Sequence, residues 1–131
     1  MTQLLKYIIS YFSILFDEYG FLIKESNNTG NKFSGASILL TSSELEIFLA
    51  IERDEITAFF RSVFDKRKNN WYSTDVILNF LGNKNSLGIL NDTNSNMLRD
   101  GLPELVQRFH KNKIEETLEL LDKIEKKKSR E

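Results

Sequence analysis

The chain has 131 residues, a formal net charge of −1, no Cys, and a composition that is 40% hydrophobic and 28% charged. Such a length suits a single domain over residues 1–131, able to bury roughly two thirds of its unfolded-chain surface without metal or disulfide. The missing Cys excludes thiolate catalysis and Cys-ligated zinc, and the near-even charge lacks the concentrated basic face of a nucleic-acid binder. The two parts of the chain still differ: residues 1–60 carry 4 Lys or Arg against 8 Asp or Glu, and residues 61–131 carry 14 against 11.

Leu4, Leu5, Ile8, Ile9, Phe12, Leu15, Phe16 and Tyr19 recur at helical spacing, predicting a helix over residues 2–18. Thr2 is its expected cap and Gly20 its stop, and the wide apolar stripe should lie against a sheet or share a homodimer interface. The apolar run holds Lys6 and closes at Asp17 and Glu18, so it is shorter than a membrane span of about 20 residues and lacks a small-residue cleavage site. The expectation is a cytoplasmic chain with no membrane contact.

Phe21, Leu22 and Ile23 open a strand, and Asn27 to Asn31 make a turn, because Asn and Gly tolerate positive φ. A second strand is expected over residues 33–41, followed by the polar connection at Thr41, Ser42 and Ser43. In the third, Leu45, Ile47, Leu49 and Ile51 alternate with Glu44, Glu46, Phe48, Ala50 and Glu52, and that period of two gives one apolar and one more polar face. Arg53, Asp54 and Glu55 turn the chain into a fourth strand over residues 56–64. Short connections make these strands an antiparallel meander.

Residues 65–70 read as a charged loop. Ser73 is placed to cap a helix carrying Val76, Ile77, Phe80 and Leu81, with Gly82 as its stop. Residues 83–96, rich in Asn, Ser, Gly and Thr, predict a mobile loop. Pro103 fits the first turn of a helix that brings Leu105, Val106 and Phe109 inward. Ile114, Leu118, Leu121 and Ile124 continue at helical spacing, as one helix or as two joined near His110. A basic tail frays from about residue 126. Strands followed by helices give an α+β fold: about four antiparallel strands packed by an N-terminal helix and C-terminal helices.

The candidate site residues are Glu44, Glu46, Glu52, Asp54 and Trp71. Even spacing puts Glu44, Glu46 and Glu52 on one strand face. Such a face is most simply a solvated sheet surface, next a docking surface for a basic partner, and third a carboxylate metal site. Trp71 and Tyr72 follow Lys66, Arg67 and Lys68. Trp71 reads either as an anchor between sheet and helix or as a binding hot spot beside cations. His110, the only His, lies among Arg108, Lys111 and Lys113 with no triad spacing, and reads as a surface helix residue. Gly82, Gly88 and Gly101 are too far apart for a phosphate-cradling loop. No catalytic residue, metal ligand or cofactor is assigned.

Residues 36–40, then Ser42, Ser43, Glu44, Leu45, Glu46 and Ile47, then Glu52, Arg53 and Asp54, then Trp71 and Tyr72, then Phe80, Leu81 and Gly82 form a pattern. It resembles small uncharacterised bacterial α+β proteins, including immunity-type proteins of polymorphic toxin systems, over about residues 34–82. Where that pattern carries a Gly soon after Arg-Asp, this chain has Glu55 and Ile56. The resemblance implies no catalytic residues and favours a toxin-neutralising binder. The leading expectation is a non-catalytic protein-binding module with another, basic protein as partner. A small metal-dependent enzyme using strand carboxylates, and a weak nucleic-acid binder using Lys66 to Lys68, Trp71 and residues 126–130, are the alternatives.

Overall fold

The computed structural model of the protein describes residues 1–28, 35–67 and 69–129. Among these, the chain runs α1 (Thr2–Tyr19), β1 (Leu22–Asn28), β2 (Ala36–Thr41), β3 (Leu45–Glu52), β4 (Glu55–Ser62), β5 (Tyr72–Ser73), α2 (Thr74–Phe80), α3 (Asp92–Arg108) and α4 (Ile114–Ser129). The strands make one antiparallel sheet in sequence order. The expected α+β meander is present, with one strand more than expected. β5 has two residues, too few for any periodicity to reveal. The turn expected after Asn28 and the start of the second strand at Phe33 lie outside the described residues.

β3 is the middle strand, and its alternation decides which face is the core. Ile47 and Leu49 are 0% exposed, paired with Leu40 and Ile38 on β2 and with Phe60 and Ala58 on β4. Each such side chain, fully buried, contributes about 1.5–3 kcal/mol. α1 lays Leu4, Ile8, Phe12 and Leu15 over β2 and β3, while α2 lays Val76, Ile77 and Leu78 over β4 and β5. α3 packs on α1 and α2, and α4 on α2. The far flank of α1 leaves Leu5 and Ile9 exposed, so its buried stripe is narrower than the sequence suggests.

Local chemistry sets the element ends. Gly20 adopts a left-handed φ of 67°, and the Phe21 N–H reaches back to the Leu15 carbonyl, so the helix closes with one of its last carbonyls satisfied. Thr2 lies inside the helix and caps nothing; Met1 is the N-cap residue. β4 ends at Ser62 and not at Phe64, because the Ser62 hydroxyl accepts the Phe64 N–H and turns the chain. Phe64 and Val63 are consequently exposed. The Asn-rich segment is not a loop through residue 96. Asn91 and Asn94 form a reciprocal capping box that starts α3 at Asp92. Pro103 therefore falls inside α3 and not in its first turn. α3 and α4 are separate helices, broken between Phe109 and Lys113, which places His110 in a connection and not on a helix. Lys126, Lys127 and Lys128 belong to α4, so no fraying begins at residue 126; Arg130 lies outside the described residues.

The outer edge of β4 is covered piece by piece. β5 pairs with Phe59 and Phe60, the Thr74 hydroxyl donates to the Ala58 carbonyl at 2.8 Å, and Ile89 bridges Thr57. The Leu90 N–H then reaches the Ile56 carbonyl. Thr74 is fully buried, so removing its hydroxyl strands a carbonyl that water cannot reach. Thr74→Val should lower stability by about 1–3 kcal/mol, read from chemical denaturation with an unchanged m-value.

Candidate functional site

The face of the sheet turned away from the helices is the candidate site. Leu39, Phe48 and Phe59 stand side by side across β2, β3 and β4 on that face, because the register pairs Leu39 with Phe48 and Phe48 with Phe59. All three are half-buried, and none belongs to the core cluster that joins the sheet to the helices. Trp71, just before β5, lies 6.1 Å from Phe48 between ring centroids, in a tilted arrangement. Its partner is thus on the open face, not in the layer between sheet and helix. Cross-strand aromatic neighbours of this kind prefer such offset geometry.

One end of the face carries an ion-pair cluster. Glu46 is only 8% exposed, and Arg61, directly opposite on β4, donates to it at 3.1 Å. Lys24 of β1 approaches its second oxygen at 3.5 Å. Arg61 also donates to the Asp65 carbonyl. Glu46 is therefore a neutralised cross-strand partner and not the solvated carboxylate that alternation suggests. Lys24 reaches it through a β-bulge between Ile23 and Glu25, a feature that periodicity does not reveal.

The other end is acidic. Glu52 and Glu55 face each other as the last pair of the β3–β4 hairpin, and Arg53 and Asp54 form its two-residue turn with φ of 52° and 65°. Two consecutive positive φ values define a type I′ turn, whose twist matches the strands without the Gly usually found there. Glu52, Arg53, Asp54 and Glu55 are all exposed. A shallow cavity of about 320 Å³, lined by Ala50, Glu52, Arg53, Glu55 and Thr57, opens there. Glu25 shares this face through its pairing with Leu39.

Glu44 stands apart from the other carboxylates. It precedes β3, accepts a hydrogen bond from the Lys111 N–H at 2.9 Å, and sits 2.6 Å from His110 Nδ1. Its role is to tie the β2–β3 turn to the connection between α3 and α4. The sequence places Glu44, Glu46 and Glu52 on one face; the structure keeps Glu52 exposed there, neutralises Glu46 and withdraws Glu44. Among the described residues, no group of three His, Asp or Glu side chains has the spacing to hold a metal ion.

The charged loop after β4 proves to be a second cluster. Asp65 is 6% exposed and takes both Arg67 Nε and Nη2 at 3.1 Å and Asn70 Nδ2 at 2.8 Å. Arg67 also donates to Asp122 of α4, and the Tyr72 hydroxyl donates to the same carboxylate at 2.5 Å. Burial and the bond to Asp122 push the Tyr72 hydroxyl up to about 12. Arg67 is thereby committed to carboxylates. Lys68, its neighbour in the basic run, lies outside the described residues. No sequence signal joins residues 65–72 to Asp122, because the contact spans 50 positions.

No protein-family model, curated protein or solved structure matches this chain.

Burial pushes the Asp65 carboxyl up, but the bonds from Arg67 and Asn70 outweigh it and hold the group below its ordinary value. A carboxyl depressed in the folded state stabilises the fold above its unfolded value of about 4, and that stability is lost as pH falls through the folded value. Wild-type stability should exceed that of Asp65→Asn at pH 7, and the gap should narrow below about pH 4, measured by denaturation of both proteins across pH.

Proposed function

We propose that the protein is a non-catalytic protein-binding module that docks a basic partner on the open face of its sheet. The observation that carries this reading is the row Leu39, Phe48 and Phe59 with Trp71 beside it, outside the core cluster and half-exposed. Contiguous aromatic surface uncovered by the protein's own helices is characteristic of an interaction site. Trp and other aromatics are the side chains that supply most binding energy at interfaces.

The charge of the partner follows from the rim. Glu25, Glu52, Asp54 and Glu55 border the face, against Arg53 and the one cation left over when Glu46 meets both Lys24 and Arg61. Among these described residues the balance is acidic. Rim charges of one sign speed association with an oppositely charged partner and exclude others. The resemblance to immunity-type proteins makes a toxin the partner class to examine first. The metal-enzyme alternative has less support, since Glu46 is spent on two cations and Glu44 on the His110 connection.

Trp71→Ala should weaken capture of a basic partner by about 2 kcal/mol or more, and Glu52→Lys with Glu55→Lys should slow its association. Both variants should melt close to wild type, and charge reversal at Glu115 and Glu116 of α4 should leave capture intact. Immobilised wild-type and variant proteins exposed to the same source lysate, followed by binding kinetics on the captured partner, provide the readout. Equal affinity in Trp71→Ala and in the charge-reversed hairpin would refute the open face as the docking site.

A further inference from the structure

A second surface, on the helical layer and independent of the sheet face, has the opposite chemistry. A groove of about 310 Å³ lies between α4 and the link that follows α2. Its polar lining is Asn79, Lys84, Asn85, Lys123, Lys127 and Lys128, with Ile124 as the apolar member. Among the described residues no carboxylate lines it, in contrast to the acidic cavity at the β3–β4 hairpin. Four lysines and two asparagines thus line one small space.

These cations are only partly compensated. Lys128 donates to Asp75 at 2.7 Å, and Lys123 meets Glu119 at 3.6 Å with both side chains about 70% exposed. An exposed helix pair of that kind is worth only about 0.3–0.5 kcal/mol, so Lys123 is readily redirected. Lys84 and Lys127 have no anionic partner among the described residues. Gathering unpaired like charges around one cavity destabilises the protein, and a bound multivalent anion would offset that repulsion.

Both walls are fixed in position. Asn83 N–H donates to the Leu78 carbonyl at 2.7 Å, the Ser86 hydroxyl donates to the Asn83 carbonyl, and Asn85 holds a φ of 67°. These contacts present Lys84 and Asn85 from a hydrogen-bonded turn. α4 is held across from them by Lys128 on Asp75 and by Asp122 on Tyr72.

We propose that this groove binds a small anion carrying several phosphate groups. Lys supplies compact charge suited to phosphate oxygens, and the volume sits at the low end of small-molecule sites, roughly 300–1,000 Å³. A long polyanion is disfavoured, because Glu115, Glu116 and Glu119 are exposed along the same helix and would repel a chain lying on it. A single phosphate would leave most of the ammonium groups unmatched.

The test is titration of the full-length ¹⁵N-labelled protein with inorganic triphosphate, followed by amide NMR. Saturable shifts should appear at Asn79, Lys84, Asn85 and Lys127, and orthophosphate should bind about tenfold more weakly or worse. Lys84→Gln with Lys127→Gln removes the two groove cations that have no anionic partner among the described residues and should cost about tenfold or more in triphosphate affinity while the spectrum stays dispersed. Lys111→Gln with Lys113→Gln, away from the groove, should retain wild-type affinity. Shifts scattered over all lysines, an unchanged affinity in the Lys84 and Lys127 variant, or equally tight binding of a short oligoglutamate would each overturn the proposal.

Discussion

The structure depends on the fact that its helices cover one side of a five-stranded sheet. β3 runs through the middle, so its inward face must fill the space under α1 and its outward face must tolerate water. Leu45, Ile47, Leu49 and Ile51 meet the first demand and are all buried. A register slip of one residue would turn Glu46, Phe48 and Ala50 inward and expose Ile47 and Leu49. Burying Glu46 without Arg61 and Lys24 would leave a desolvated charge unpaired, which is among the costliest errors a core can contain. Register is therefore fixed twice, by apolar gain on one face and by the placement of an ion pair on the other.

That second face is neither polar enough to be mere solvent-facing sheet nor apolar enough to be hidden core. Phe48 and Phe59, directly opposed, stabilise the hairpin by about 0.2–1 kcal/mol relative to alanines, so part of their presence is explained by folding alone. Trp71 is different. It comes from outside the β3–β4 hairpin, just before β5, and its ring lies against Phe48 on β3, two strands away in the sheet. A large rigid ring presented at the surface costs little conformational entropy on binding, which is why such residues serve as anchors. The same face has an ion-pair cluster at one end and an acidic hairpin at the other, so its two ends differ in charge.

Elements whose cause is local were legible in the sequence. Gly20 stops α1, the alternation of β3 selects its buried face, and Arg53-Asp54 turns the hairpin. What escaped was long-range. Glu46 reads as a solvated acid until Lys24 and Arg61 arrive from other strands. Asp65 reads as a loop charge until Arg67 and Asn70 bond to it, with Arg67 held in turn by Tyr72 and Asp122. β5 exists only because β4 offers it an edge, so two residues with no pattern of their own become a strand. Asn91 and Asn94 were misjudged for another reason: Asn favours both loops and helix caps, and composition does not separate the two. The candidate site was legible only in part. Trp71 and Glu52 lie on the face; Phe48 and Phe59 went unselected because aromatic residues in a strand read first as core.

The uneven charge of the two chain halves becomes a spatial division in the fold. Among the N-terminal carboxylates, Glu25, Glu52 and Glu55 on strands and Asp54 in the β3–β4 turn border the open sheet face. Among the C-terminal lysines, Lys123, Lys127 and Lys128 of α4 line a groove with Lys84. Neither surface depends on the other for its charge, since each holds its ion pairs locally. A net charge of −1 therefore conceals two fields of opposite sign. A Debye length of about 8 Å at physiological ionic strength lets each field act only on what approaches its own side.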